Sequence, residues 1–74
     1  MHMNFMKVSL RPYWPNSRGG ALAGINILEK EGIVTVGDAL ATAEGELFRL
    51  PGFGRGSFRL LKTAVSAAIR DNPD

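Results

Sequence analysis

A chain of 74 residues, 45% of them apolar and none of them cysteine, has room for one small domain with one modest core. It excludes a disulfide framework and a thiolate metal site, and it contains no apolar run approaching the 18 residues that a membrane helix needs. Net charge is only +2, but it is unevenly spread: residues 49–70 carry Arg49, Arg55, Arg59, Lys62 and Arg70 without one acid, while residues 19–48 set Glu29, Glu31, Asp38, Glu44 and Glu46 against Lys30 alone.

Residues 1–16 read as an extended N-terminal arm. Met1-His2-Met3 has the look of an initiator followed by cloning-derived residues, and His2 is the only histidine. Further on, Pro12 and Pro15 bracket Tyr13 and Trp14, a pattern that opposes a helix and favours extended backbone. Phe5, Tyr13 and Trp14 are expected to cap the core. A short strand between Met3 and Leu10 is a further option, and pairing of such strands between chains would give a weak dimer in place of a monomer.

The remainder, residues 17–74, is expected to be an all-α, compact bundle of four to five short helices. A first helix is predicted over residues 21–31, since Gly19, Gly20 and Gly24 each weaken an earlier start that Asn16 or Ser17 could cap. Leu22, Ile25 and Leu28 share one face, and Gly32 followed by Ile33 spells a left-handed helix stop. Thr35-Val36-Gly37-Asp38 offers a hydroxyl cap with an acid three residues on, opening a short helix through Leu40 and Ala41. Thr42 is placed to cap the next, over residues 43–49, with Glu44 and Glu46 at its positive end and Arg49 at its negative end. Pro51 and Gly52 end it.

The last helix is predicted over residues 55–70. At about 100° per residue, Phe58, Leu61, Val65, Ala68 and Ile69 fall on a side expected to pack inward. Arg55, Arg59, Lys62, Ser66 and Arg70 fall within a stripe roughly 80° wide. It lacks the alternating acid–base pairs of an ordinary solvated helix face.

Between the last two helices lies Leu50-Pro51-Gly52-Phe53-Gly54-Arg55-Gly56-Ser57. Two glycines permit a tight turn, and Phe53 between them can plug the gap between helices. Gly54 leads directly into a helix N-terminus, whose unpaired N–H groups and positive dipole end attract anions. Without side chains at Gly52, Gly54 and Gly56, a phosphate can reach the main chain, with Arg55, Ser57, Arg59 and Lys62 as flanking donors. Residues 43–70 thus resemble a helix-hairpin-helix, which implies a grip on the DNA backbone; the alternative is a plain helix-turn-helix corner that uses its glycines only for packing.

Three stretches carry a wider resemblance: Asn26-Ile27-Leu28-Glu29-Lys30-Glu31-Gly32-Ile33-Val34-Thr35-Val36-Gly37-Asp38, then Glu44-Gly45-Glu46-Leu47, then residues 50–57. Together, in one register from about Gly20 to Arg70, they resemble the C-terminal domain of the bacterial RNA polymerase alpha subunit. Leu10-Arg11-Pro12 is also similar to the segment ahead of that domain. The resemblance implies a stand-alone relative or an excised domain that docks in the minor groove of AT-rich double-stranded DNA. It also implies RNA polymerase or a transcription regulator as protein partner. Asn26, Gly54 and Ser57 match its DNA-contacting positions. Ala23, Gly56 and Leu60 stand where the family has an arginine, a lysine and an acid, and loss of that arginine threatens shape readout of narrow A-tract grooves.

No pair of titratable residues is placed for catalysis, so the chain is expected not to be an enzyme and to need no cofactor and no metal. Expected for it are a cytoplasmic location, nucleoid-associated if it binds DNA, and no membrane. The alternative function is protein–protein interaction on the same scaffold, with the DNA face weakened.

Overall fold

A computed structural model of the chain describes residues 4–15 and 22–73. Four α-helices make an all-α bundle: α1 (Ala23–Lys30), α2 (Val36–Leu40), α3 (Glu44–Phe48) and α4 (Arg55–Asp71). Expected helix caps Asn16 and Ser17, with Arg18, Gly19, Gly20 and Ala21, lie outside the described residues. Among the described residues no helix is long and apolar enough to cross a membrane.

Local chemistry sets most of the boundaries. Helix α1 ends at Gly32, whose φ of 82° is one that glycine adopts without steric cost. Gly32 N–H then donates to Glu29 O at 3.0 Å and Ile33 N–H to Leu28 O at 2.9 Å, the two bonds of a Schellman stop. Helix α2 opens with a reciprocal capping box: Thr35 Oγ1 accepts from Asp38 N–H and Asp38 Oδ2 accepts from Thr35 N–H, both at 3.0 Å. Asp38 Oδ2 accepts a second backbone bond from Val34 N–H, also 3.0 Å. These bonds hold the Asp38 carboxyl below its usual range, Thr35 N–H having the largest effect and Val34 N–H the next.

A depressed carboxylate stabilises the fold above its unfolded pKa, and that contribution is lost as pH falls through the lower folded value. The melting temperature should therefore decline below about pH 4. Asp38→Ala should start lower at neutral pH and lose less on acidification. Parallel melting curves for the two proteins from pH 7 to pH 2.5 would refute this. Thr35→Ala should cost about 1 kcal/mol at neutral pH.

Several expectations need correcting. Thr42 caps nothing: its hydroxyl donates back to Asp38 O at 2.8 Å, and Ala43, without a side-chain bond, is the N-cap of α3. A hydroxyl one turn beyond a carbonyl often takes that local option. Leu22, expected to share a face with Ile25 and Leu28, is 42% exposed ahead of α1, whereas those two are buried.

The arm, expected to be extended, is wound at two places into 3₁₀ turns, Asn4–Lys7 and Arg11–Tyr13. Pro12 opposes an α-helix but sits comfortably in the first turn of the second of these. No strand forms among the described residues. A lone antiparallel bridge, Ser9 with Thr35, is flanked by Leu10 N–H to Val34 O and Val36 N–H to Val8 O, each 2.9 Å. The arm thus pairs with its own chain.

The arm also completes the core. Leu10 and Trp14 are 0% and 4% exposed and join Ile25, Leu28, Val36, Ala39, Leu47, Phe53, Leu61, Ala64 and Ala68 in one cluster. Its end is tied to the far end of α4, where Tyr13 Oη donates to Asp71 Oδ2 at 2.5 Å and accepts from Asn72 Nδ2 at 3.1 Å. The radius of gyration, 11.7 Å, is near the roughly 11 Å expected of a compact chain this long.

Helix α4 is rolled relative to expectation. Its buried residues are Leu61, Ala64 and Ala68, whereas Phe58 and Val65 are half-buried and Ile69 is 38% exposed. The cause lies at the crossing with α1. A Cβ on Gly24 would come within 2.9 Å of both Ser57 Oγ and Trp14 Cζ2, so the α4 backbone runs close to α1 and small side chains face it. Gly24→Ala should therefore cost about 1–3 kcal/mol, since neither neighbour is the free end of a flexible chain. A urea midpoint unchanged by that substitution would mean the crossing is looser than described.

Candidate nucleic-acid interface

The turn joining α3 to α4 is built by two residues. Phe53 N–H donates to Leu50 O at 3.0 Å, and Gly52 has φ 84°. Proline at the second position and glycine at the third make a type II turn. Phe53, 3% exposed, drops into the core, while Ile27 of α1 would lie 3.2 Å from a Cβ on Gly52. The turn is thus clamped from beneath by one aromatic and from the side by one aliphatic residue.

Above the clamp the surface is open. Gly52, Gly54, Arg55 and Gly56 are all exposed, and a Cβ on Gly54 or Gly56 would meet nothing within 4 Å. Gly54 is the N-cap of α4, with extended backbone and no side chain to cap the helix. The first helical bond is Phe58 N–H to Gly54 O, 2.9 Å. The N–H groups of Arg55, Gly56 and Ser57 therefore have no hydrogen-bond partner among the described residues. They lie at the positive end of a 17-residue helix.

Of the eight residues singled out in the sequence, six line this corner and the helix face below it. Gly52, Gly54, Arg55 and Gly56 form the corner itself, and Arg59 and Lys62 follow on the exposed side of α4. Ser57 is set back. It is half-buried, with its hydroxyl against Gly24 of α1, so its contribution to an outside ligand is its amide. Asn26 is exposed on α1, but its side-chain oxygen is already engaged by Arg11.

Arg11 joins the site although it was not among the residues expected there, because its contacts cross 15 and 18 residues of chain. Its guanidinium straps the arm onto α1 with a bidentate pair to Glu29, Nε to Oε2 at 2.9 Å and Nη2 to Oε1 at 2.8 Å. The same Nη2 donates to Asn26 Oδ1 at 2.5 Å. The pair holds the Glu29 carboxyl below, and the Arg11 guanidinium above, their ordinary values, in each case chiefly through the side-chain hydrogen bond. Glu29, the one acid within α1, is thereby neutralised within the fold.

The cations of α4 are differently placed. Arg11 with Glu29 is the sole salt bridge among the described residues, so Arg55, Arg59, Lys62 and Arg70 have no acidic partner there. Lys62 lies over the Phe58 ring, 5.8 Å from its centre, and Phe58 in turn packs on Phe48 at 5.1 Å. A shallow trough of about 570 Å³, framed entirely by α4 side chains, runs from Arg55 past Phe58 and Ser66 to Arg70. Among the described residues no cluster of His, Cys, Asp and Glu is arranged to hold a metal. Set against known protein families, curated proteins and solved structures, the chain finds no match in any of the three comparisons.

Proposed function

We propose that this chain is a non-catalytic DNA-binding module that seats the phosphate backbone at the N-terminus of α4, in a setting connected with transcription. The observation that carries this reading is the open, glycine-lined corner with three N–H groups that have no partner among the described residues, backed by cations that form no salt bridge there. Each feature alone is common; a helix N-terminus attracts anions in general. Their conjunction on one edge is what a phosphodiester chain requires, since it presents anionic oxygens to the amides while its neighbouring charges meet the arginines. Contacts of this kind fix position without reading bases, so broad sequence tolerance follows.

The test is fluorescence anisotropy with AT-rich and mixed double-stranded DNA over a salt series. Neutralisation of about four phosphates gives a log–log slope near −3 to −4. Absence of binding near 50 mM salt, or a flat slope, would sink the reading.

A second reading keeps the scaffold as a protein-interaction module for RNA polymerase or a transcription regulator. It is favoured by Ala23, Gly56 and Leu60, which lack the charges of the resembled family. An apolar groove of about 340 Å³ between α2, α3 and α4, beside a Leu40 that is 54% exposed, also favours it. Capture of such a partner by a chain with no DNA affinity near 50 mM salt would decide for it.

A further inference from the structure

Resting on the DNA-binding reading, we propose that α4 is a phosphate track along its whole exposed length, holding consecutive phosphates of one DNA strand from the Gly54 corner to Arg70. The hairpin would then be the head of the site and not its extent.

The roll of α4 is the first support. With Arg55 at 0° and about 100° per residue, Arg55, Arg59, Lys62, Ser66 and Arg70 centre near 20°, whereas the inward Ser57, Leu61, Ala64 and Ala68 centre near 210°. The stripe therefore points straight away from the core. The apolar pattern of the sequence had set the two faces only about 110° apart, which would have tilted the cations toward a neighbouring helix.

The second support is spacing. Steps of four, three, four and four residues place the stripe positions about 4.5–6 Å apart, over roughly 22 Å, at 1.5 Å per residue. Successive phosphates of one strand advance about 3.4 Å along the duplex axis while winding round it, so they lie about 7 Å apart along the strand. Flexible arginine and lysine side chains close that difference. Ser66, in the one stripe position without charge, supplies a hydroxyl donor.

The third support is what keeps the stripe acid-free. Asp71, the one acid on α4, is held on another face by Tyr13 at 2.5 Å. The one acid on α1, Glu29, is paired with Arg11. Two contacts made by the arm thus engage these two carboxylates, and Glu44 of α3, which shares a groove with Lys62 and Ser66, forms no salt bridge with the stripe among the described residues.

The decisive measurement is the salt dependence of binding to a labelled 20-base-pair duplex for the full chain and five variants. Arg70→Ala and Lys62→Ala each should reduce the magnitude of the log–log slope by about 0.9 and weaken binding about 15-fold at 50 mM salt. Ser66→Asp, which puts an acid in the middle of the track, should weaken binding by more than either. Lys7→Ala, off the stripe, should behave as the parent chain. All these positions are exposed, and circular dichroism checks that each variant is folded.

If Arg55→Ala weakens binding while Arg70→Ala, Lys62→Ala and Ser66→Asp match Lys7→Ala, the track is refuted and the hairpin reading stands. If the parent chain does not bind DNA, both fall together. If it binds anionic phosphatidylserine vesicles through the stripe but no duplex, the partner is a lipid surface and the proposal is overturned.

Discussion

Trp14→Ala should lower the melting temperature of this domain by between about 12 and 40 °C. The range follows from about 3–5 kcal/mol for truncating a buried tryptophan and about 4–8 °C per kcal/mol for a domain this small. At 0.05–0.15 kcal/mol per residue the whole domain has roughly 4–11 kcal/mol, so the substitution removes a large fraction of it. Trp14 is 4% exposed, and its ring lies against Gly24 at the α1–α4 crossing. Leu10→Ala, at 0% exposure, should cost about 2–5 kcal/mol. Lys7→Ala in the same arm should cost almost nothing. Thermal melts by far-ultraviolet circular dichroism check all three. A Trp14→Ala chain that melts within a few degrees of the parent would show that the arm is an appendage and that its packing here carries no stability.

That result bears on function as well as on folding. Gly24, Ser57 and Trp14 meet at one point, so the arm helps to fix the N-terminal turn of α4, where the unpartnered amides lie. Removing residues 1–16 to test a role in pairing between chains would therefore remove two core side chains and disturb the corner itself. Single exposed substitutions in the arm are the sounder probe.

The contrast between what was legible in the sequence and what was not follows the range of the interactions. The Schellman stop at Gly32, the Thr35–Asp38 box and the Pro51–Gly52 turn are each decided within six residues, and their residue types suffice to specify them. The docking of the arm is decided by pairs far apart in the chain: Arg11 with Glu29, Tyr13 with Asp71, Val8 and Leu10 with the loop before α2. No local pattern announces these. Thr42 marks the limit even of local reading, since two bonding options lay within one turn and the carbonyl of Asp38 won. For α4 the amphipathic pattern identified the helix and its cations but misplaced its inward face. Large apolar residues pulled the expected face toward Phe58 and Ile69, whereas the close approach at Gly24 selects Ala64 and Ala68. The candidate site was legible to the extent that glycines and cations cluster in sequence. The set-back Ser57 and the Arg11 strap over Asn26 required tertiary contacts.

The double substitution Arg55→Ala/Arg59→Ala should weaken binding to duplex DNA about 200-fold at 50 mM salt and about 20-fold at 200 mM. Each released phosphate changes the logarithm of affinity by about 0.9 times the logarithm of salt concentration, which amounts to about 15-fold and about 4-fold per contact at the two concentrations. Both side chains are exposed and have no acidic partner among the described residues, so neither substitution breaks an ion pair seen there or opens the core. Losses should be equal on AT-rich and mixed duplexes, because contacts to phosphate position a protein without reading bases. A loss confined to AT-rich sites would instead place a guanidinium in the minor groove, where width distinguishes sequences. A loss that does not shrink with added salt would mean the arginines act through shape or packing, and the electrostatic seat at the head of α4 would have to be abandoned.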